Sequence, residues 1–311
     1  MNEKLIIIVG PTASGKSALG IKLAKALKGE IISGDSMQVY KYMDIGTAKV
    51  PPDEREGVPH HLIDILEPFE NYSVALFQKE AKRLITAINQ KGNIPIIVGG
   101  TGLYIRSIID PYDFSDFSFD INYRKELEEI ASQKGGDYLY KELYKIDPVA
   151  ASKVHPNDLR RMIRALEVYK HTGKPLSYFW ERGREKKPAY SFLYYGLTLD
   201  RELLYQRINE RVDNMISKGL VDEVKNLLKM GFRESTAMQA IGYKEIVWYL
   251  EGKITLDEAI YLIKRESRHY AKRQFTWFRR DPRIKWYDSG KNSLEKITEE
   301  IIYEAGVKNF L

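Results

Sequence analysis

Apolar residues in the first third of the chain occur in short continuous runs, separated by stretches with helical spacing. The runs cover Leu5–Val9, Glu30–Ile32 and Ile94–Val98, and helical patterns lie between them at Ala18–Leu27 and Val74–Asn89. Continuous apolar runs of this length are typical of strands buried on both faces of a parallel sheet. The alternation of strands and helices therefore predicts an α/β unit in this part of the chain.

This pattern breaks at Pro111–Phe119, where Pro, Asp, Ser and Phe replace it. From Tyr123 to His171 the pattern is helical, with Asp158 as the predicted N-cap of the last helix and Gly173 at its end. These residues therefore look like a helical insertion. The predicted domains are an α/β core of residues 1–114 and 191–311 and a helical insertion domain of residues 115–190.

After the insertion the α/β pattern resumes and then becomes helical. Ser191–Leu199 predicts a further strand, and Asp200 is a candidate cap for the long helix that follows. We predict helices for the rest of the chain, at residues 200–218, 220–230, 238–250 and 255–280.

A phosphate-binding loop joins the first predicted strand to the first predicted helix. Gly10-Pro11-Thr12-Ala13-Ser14-Gly15-Lys16-Ser17 has the full G-x-x-x-x-G-K-[ST] spacing. Backbone N–H groups of such a loop surround phosphate oxygens, and the helix N-terminus adds partial positive charge. Lys16 would reach the terminal phosphate, and Ser17 would ligate Mg²⁺. We therefore predict a P-loop NTPase-like α/β fold, with a parallel sheet flanked by helices.

Two further loops should reach the same place, because ligands bind outside the carboxyl ends of parallel strands. Ser33–Tyr40 brings Asp35, which could ligate Mg²⁺ through water or act as a general base; an Asx-turn or helix cap is the alternative. Val98–Tyr104 surrounds Thr101 with glycines, which suit either close approach to a ligand or a tight turn. An ATPase usually ends such a strand with a carboxylate, so the ending Gly99-Gly100 weighs against phosphoryl transfer.

Composition narrows the class of protein. The chain has 311 residues, of which 43% are hydrophobic and 30% charged, so it can bury a sizeable core. It has no cysteine, which excludes disulfides and cysteine-based zinc sites and favours a reducing compartment. We find no apolar run long enough for a signal peptide or a membrane span, and we expect a cytoplasmic protein.

The net charge of +6 is concentrated in three basic clusters interleaved with aromatic residues. Aromatic rings can stack on bases while cations hold phosphates, so the clusters favour a nucleic-acid partner over solvated helix faces. The first and third are predicted on helices. The clusters are Arg160, Arg161 and Arg164; Arg182, Arg184, Lys186 and Lys187; and Lys264, Arg265, Arg268, Lys272, Arg273, Arg279 and Arg280.

His60 and His61 are a tempting metal pair. Adjacent residues on a strand point to opposite faces, however, and no cysteine or third histidine is near in sequence. We therefore expect no metal there.

A series of motifs covers nearly the whole chain, and the later ones are far more specific than the phosphate loop. They are GPTASGKS at 10–17, DSMQVY at 35–40, DIGTAK at 44–49, VPHHLID at 58–64, GGTGLY at 99–104, DLRRMIRALEVY at 158–169, QAIGYKE at 239–245 and YAKRQFTWFR at 270–279. In this order they resemble the tRNA dimethylallyltransferase (tRNA isopentenyltransferase) family, in its bacterial type.

The resemblance implies transfer of a dimethylallyl group from dimethylallyl diphosphate to an adenine of tRNA. The acceptor would be the exocyclic N6 amine of the adenine at position 37, on the 3′ side of the anticodon, giving N6-isopentenyladenosine. The phosphate loop, residues 10–17, would then hold a leaving diphosphate rather than a nucleotide. The target base would be flipped out, and the insertion domain would grip the anticodon stem-loop.

The resemblance also assigns roles to residues. Lys16 and an arginine after Asp200 would stabilise the diphosphate; Arg211 is our choice and Arg207 the alternative. Asp35 would accept the amine proton, and Thr101 would bond near the diphosphate and the base. The implied tRNA-binding residues are Asp35, Ser36, Met37, Gln38, Thr101, Arg124, Arg160, Arg161, Arg164, Gln239, Gly242, Lys244, Arg268, Lys272 and Arg273, with 267–274 as a wider segment.

Two other classes of function stay open on the residues alone. One is a P-loop kinase for a small molecule or nucleoside, with residues 155–190 as a basic lid. The other is a nucleotide-gated RNA-binding protein without catalysis, in which loss of Asp35 would leave function intact. We expect a monomer, since nothing in the pattern marks an exposed apolar seam.

Overall fold

The computed structural model describes residues 3–110, 120–184, 190–308 and 310, with the backbone alone for 182–184. Contacts divide the chain into two compact units, Met1–Ile108 with Tyr190–Leu311 and Ile109–Ala189. The sequence places the insertion at 115–190. The expected break at Pro111–Phe119 lies outside the described residues.

A parallel six-stranded sheet forms the centre of the first unit, with the strand order β3-β2-β4-β1-β5-β6. This arrangement confirms the predicted fold class. Four of the strands match predicted ones to within two residues at either end. The strands are β1 (Glu3–Val9), β2 (Gly29–Ser33), β3 (His60–His61), β4 (Ile94–Val98), β5 (Tyr190–Thr198) and β6 (Lys285–Asp288).

Helices cover both faces of the sheet. Successive side chains of a strand point to opposite faces, and Ile6 and Ile8 of β1 share one apolar cluster with α1 (Lys16–Leu27) and α13 (Leu294–Val307). On the other face α2 (Val74–Gln90) packs against β1 and β4, with α3 (Gly102–Ile109) beside it. Burial on both faces explains why the strands read as unbroken apolar runs.

A second apolar cluster joins the loop after β2 to four helices of the C-terminal part. Tyr40 and Met43 pack with residues of these helices, so the loop that carries Asp35 is held by the core. Asp200 caps the first of them, as predicted. The helices are α9 (Arg201–Ser217), α10 (Leu220–Lys229), α11 (Tyr243–Leu250) and α12 (Leu256–Phe278).

Two predictions in the C-terminal part are wrong in detail. The helix expected at 238–250 is a 3₁₀ turn, Thr236–Gln239, followed by α11, because Gly242 has a φ of +98° that a helix interior does not accept. Beyond residue 280 the chain is not all helical, since β6 pairs with β5 at the sheet edge before α13 begins. A four-residue edge strand gives too short a pattern to be recognised.

The second unit is helical around its own apolar cluster. Asp158 caps its fourth helix by accepting the N–H of Arg161, and Gly173 ends that helix in the left-handed region, both as predicted. The helices are α4 (Ile121–Lys134), α5 (Gly136–Ile146), α6 (Pro148–Ala151), α7 (Leu159–Thr172) and α8 (Leu176–Arg184).

Candidate functional site

The phosphate loop has the backbone that its glycines require. Gly10 and Gly15 have φ angles of +145° and +93°, and a Cβ at Gly10 would lie 2.5 Å from the carbonyl oxygen of Leu197. The α1 helix begins at Lys16, so its unpaired N–H groups face this loop. The buried hydroxyl of Ser14 has no hydrogen-bond partner within the described residues. A loop with free donors at a helix N-terminus is suited to bind an anion.

Two cations and one carboxylate lie together beside this loop. Lys16 Nζ donates to the carbonyl of Pro11 at 2.6 Å. Burial, and then the charge of Arg211, lower the pKa of Lys16 to about 7, and Asp35 opposes the shift. Burial also lowers the pKa of Arg211, and Asp35 again opposes it. One carboxylate cannot neutralise two partly buried cations, so the group would be stabilised by a further anion such as a diphosphate.

The lowered pKa of Lys16 predicts a pH dependence. The ammonium group is charged below about pH 7 and becomes neutral as the pH rises. We expect kcat/KM for the phosphorylated substrate to fall up to about tenfold per pH unit above 7, because this ratio reports the free enzyme. A bound anion restores the charge, so kcat should stay level to higher pH. Steady-state rates between pH 6 and 9 measure both.

Lys16→Arg is the matched control for this profile, because a guanidinium keeps its charge throughout that range. The variant should show a flat kcat/KM above pH 7 apart from the substrate's own ionisation. A wild-type profile that coincides with that of the variant would contradict the role of Lys16.

Asp35 combines both interpretations that the sequence left open. Its Oδ1 accepts the N–H of Met37 at 2.8 Å, which is the Asx-turn. The same carboxylate acts on the pKa of Lys16 and Arg211. The Asx-turn therefore fixes the carboxylate near the two cations, and it does not exclude a chemical role for Asp35.

The loops after β2 and β4 touch through glycines and a hydroxyl. Thr101 Oγ1 accepts the N–H of Ser36 at 3.2 Å. A Cβ at Gly99 would lie 2.3 Å from the oxygen of Gly34, so a side chain there would separate the loops. The glycines of GGTGLY thus serve loop packing as well as any ligand.

A cavity of about 330 Å³ opens from these loops. Its polar lining residues are Thr12, Asp35, Ser36, Thr47, Arg211, Gln239, Ser267 and Arg273. The other lining is mainly apolar. Met37, Ile208, Val212, Met215, Ala240, Ile241 and Ile263 form this apolar part. Arg207, our alternative to Arg211, is not among the described lining residues. The geometry thus favours Arg211.

Tyr270 and Gln274 of α12 belong to this site, although the sequence interpretation placed them only in the segment 267–274 implied to bind tRNA, with Tyr270 as an aromatic residue of a basic cluster. Tyr270 lines the cavity, and Thr101 and Gln274 lie close enough to lower the pKa of its hydroxyl against the effect of burial. Burial and the charge of Asp35 raise the pKa of Tyr270 to about 12, so the phenol is neutral at pH 7. The YAKRQ motif was the available signal, but its basic residues drew the interpretation toward RNA alone.

Several motif residues are held together by one carboxylate, and two of them, Gly46 and Tyr243, also line the cavity. Glu223 accepts the N–H groups of Asp44, Ile45 and Gly46 and the hydroxyl of Tyr243. These contacts tie the DIGTAK and QAIGYKE motifs to one carboxylate.

Lys49 and the histidine pair have structural partners as well. Lys49 is buried and pairs with Asp44 and Asp64 at 2.7 and 2.5 Å. His60 contacts the carbonyl of Val58 and His61 contacts Glu30, each through a ring nitrogen.

The residues implied to bind tRNA fall into three groups in the first unit. Ser36, Met37, Gln239 and Arg273 line the cavity together with Asp35, and Thr101 contacts its wall. Gln38 has its amide engaged with Ser33 and with the carbonyls of Thr47 and Ala48. The third group consists of Gly242, Lys244, Arg268 and Lys272. The N–H of Gly242 donates to Glu245, and Lys244 lies near the same carboxylate. Arg268 donates to Asn209, and Lys272 is exposed.

Within the second unit, the arginines implied to contact tRNA differ in whether they have a carboxylate partner. Arg124 forms a two-pronged ion pair with the buried Glu167, both contacts being 2.7 Å, so it has a structural partner. Arg164 lies 3.6 Å from the same carboxylate. Arg161 pairs with Asp158, whereas Arg160 is exposed with no ion pair among the described residues. The side chains of Arg182, Arg184, Lys186 and Lys187 lie outside the described residues.

The parallel sheet and the backbone of the phosphate loop together define a P-loop α/β protein. Residues 38–281 match the family model described as IPP transferase. The chain belongs to this IPP transferase family, which confirms the family resemblance of its motifs.

Named relatives and solved structures agree. The tRNA dimethylallyltransferase of Carboxydothermus hydrogenoformans is 78% identical over 311 residues, all of both chains, and that of Geobacillus thermodenitrificans is 54% identical over 98% of each. The tRNA isopentenylpyrophosphate transferase of Bacillus halodurans matches at a TM-score of 0.73 and 50% identity, covering 98% and 96%. A eukaryotic dimethylallyltransferase acting on tRNA matches at 0.85 and 34%, covering 99% and 80%.

In the described part of the chain, no helix is both long and apolar enough to cross a bilayer.

Proposed function

We propose that the chain transfers a dimethylallyl group from dimethylallyl diphosphate to the N6 amine of adenine 37 in tRNA. By family it is a prenyltransferase. The observation that carries the donor is that Arg211, whose charge acts on Lys16 of the phosphate loop, lines a cavity together with a group of apolar side chains. A five-carbon diphosphate has this distribution of charge and apolar surface.

The phosphate loop and the two cations would stabilise the leaving diphosphate. As the allylic C–O bond breaks, negative charge grows on the bridging oxygen. Lys16, Arg211 and the N–H groups of the loop are fixed beforehand by burial and by the helix, so they need little rearrangement at that moment. These groups would therefore promote departure of the diphosphate.

Asp35 would receive the proton of the amine. An adenine amine is a weak base and a very weak acid, but its N–H becomes more acidic as the nitrogen attacks the allylic carbon. A carboxylate held by the Asx-turn beside the cavity can then accept the proton. Thr101 and Tyr270 lie at the same wall and would position the base.

The residues present fit Mg²⁺. Ser17 exposes its hydroxyl at the first turn of α1, close in sequence to the loop, and Asp35 offers a carboxylate. Mg²⁺ takes few protein oxygens and keeps waters and phosphate oxygens as its other ligands. When bound, the ion would neutralise part of the diphosphate charge.

The exposed arginine Arg160 would contact a phosphate of tRNA. We expect Arg160→Ala to weaken tRNA binding and to flatten the dependence of log K on log salt by about one charge. Titrations of unmodified tRNA at several salt concentrations measure the slope. Arg83→Ala is the matched control, because Arg83 is exposed on α2 and, among the described residues, forms an ion pair with Glu80 alone. An unchanged slope for Arg160→Ala would remove this residue from the interface.

One experiment tests the proposal as a whole. The protein is incubated with Mg²⁺, radiolabelled dimethylallyl diphosphate and unmodified bacterial tRNA, and a parallel reaction contains ATP without the prenyl donor. Label at a single adenine of tRNA is the expected result. Consumption of ATP without labelled tRNA would replace the proposal by the kinase interpretation. A tRNA substrate is in keeping with the expected cytoplasmic location. That the protein is a monomer stays a prediction, which light scattering would test.

A further inference from the structure

Gln274 bridges two loops of the site with one side chain. It lies on α12 and is only 5% exposed. Its Oε1 accepts the N–H of Thr12 in the phosphate loop at 2.8 Å. Its Nε2 donates to the carbonyl of Gly100 at 3.1 Å. Both polar atoms of the amide are therefore used within the protein.

The space around this amide is closed. A Cβ at Gly100 would lie 2.0 Å from Nε2 of Gln274, so a side chain at this position would force the amide to move. The bridge needs one donor and one acceptor on the same group, which an amide has and a carboxylate or thioether lacks. The bridge therefore requires both a glycine at position 100 and an amide side chain at position 274.

The bridge connects the two reacting partners of the proposed reaction. Thr12 belongs to the loop that would hold the diphosphate, and Gly100 precedes Thr101 on the loop that would hold the adenine. Tyr270, one turn earlier on the same helix, lines the cavity. One helix therefore holds the donor loop and the acceptor loop.

We infer that Gln274 is a positioning residue that fixes the diphosphate loop against the acceptor loop and so sets the distance over which the prenyl group is transferred. This inference rests on the proposed function. Transfer needs the amine in line with the allylic carbon at about 3–3.5 Å, and a displacement of about 1 Å can cost about a hundredfold in rate. The family resemblance places the segment 267–274 at tRNA, but at Gln274 the amide contacts are internal.

The test uses two variants that break the bridge from opposite ends. Gln274→Met keeps the volume and removes both hydrogen bonds, and Gly100→Ala displaces the amide while leaving it chemically intact. Thr276→Ala is the matched control, because the exposed Thr276 bonds only to the carbonyl of Lys272 within the same helix. Melting temperature, affinities for tRNA and for inorganic diphosphate with Mg²⁺, single-turnover transfer and release of dimethylallyl alcohol are measured for each.

We expect both bridge variants to lower the single-turnover rate about 10–100-fold. The affinities for diphosphate and for tRNA should stay within about threefold of wild type. More donor should be lost to water, which attacks the allylic carbon as the C–O bond breaks and gives dimethylallyl alcohol, diphosphate and a proton. Thr276→Ala should behave as wild type.

Other results would overturn the inference. A loss of diphosphate affinity and of melting temperature in step with the rate would make Gln274 a purely structural residue. Wild-type transfer in both variants would remove any role in positioning. If wild type and Thr276→Ala also fail to label tRNA, the proposed function itself fails and the inference falls with it.

Discussion

Asp35→Asn should lower the rate of prenyl transfer by about 10²–10⁴, because it removes the proton acceptor of the reaction. The variant keeps an oxygen that can accept the N–H of Met37, so the Asx-turn should persist. Asp35 also opposes the lowered pKa of Lys16, and its loss should lower that pKa further. Single-turnover transfer at saturating substrates, together with tRNA affinity, measures the effect.

Asp35→Ala completes this comparison, because it removes both the charge and the turn. We expect it to abolish transfer with little loss of tRNA affinity. Full activity of Asp35→Asn would mean that the turn alone matters and that another group accepts the proton. A large loss of affinity with a normal single-turnover rate would place Asp35 in tRNA binding instead.

Arg211→Gln is expected to lower kcat by about 10²–10³, the cost typical of removing one donor from a developing anion. Arg211 lines the cavity beside Asp35 and acts on the pKa of Lys16. Arg207→Gln is the matched control one helical turn earlier, and it should retain activity within about threefold. Steady-state kinetics with dimethylallyl diphosphate and unmodified tRNA distinguish the two residues.

The reverse order of effects would assign the diphosphate to Arg207. Equal effects of the two substitutions would point to the stability of α9 rather than to the ligand, and melting temperatures would show it. Arg211→Lys separates charge from shape, because lysine keeps the charge but not the two-pronged geometry of the guanidinium. A partial rate for this variant is the expected result.

The Arg124–Glu167 pair shows where sequence reasoning about charge is weakest. A basic residue in an RNA-binding family suggests a phosphate contact, but the structure gives Arg124 a buried carboxylate as its partner. Glu167 lies 43 residues away in sequence, and no local pattern joins the two. Only packing of α4 against α7 in the second unit reveals the pair.

Gln274 and Lys49 show the same limit for motifs. Both stand in motifs that carry the resemblance, and a motif does not say whether a side chain binds a ligand or a loop. Lys49 forms ion pairs with two carboxylates, and none of the three residues is among the described residues that line the cavity. Gln274 connects the loops of Thr12 and Gly100. These roles depend on contacts between segments that are far apart in the chain.

The sequence alone determined the α/β class, the phosphate loop and the family, because these follow from local patterns. Apolar runs specify buried strands, and the spacing of Gly10, Gly15 and Lys16 specifies the loop backbone. Tertiary structure decided which residues share the site. It set Arg211 rather than Arg207 at the cavity, and it turned Gln274 inward. The physical reason is that burial, charge and hydrogen bonds act over a few ångströms in space, whereas a sequence pattern records only neighbours along the chain.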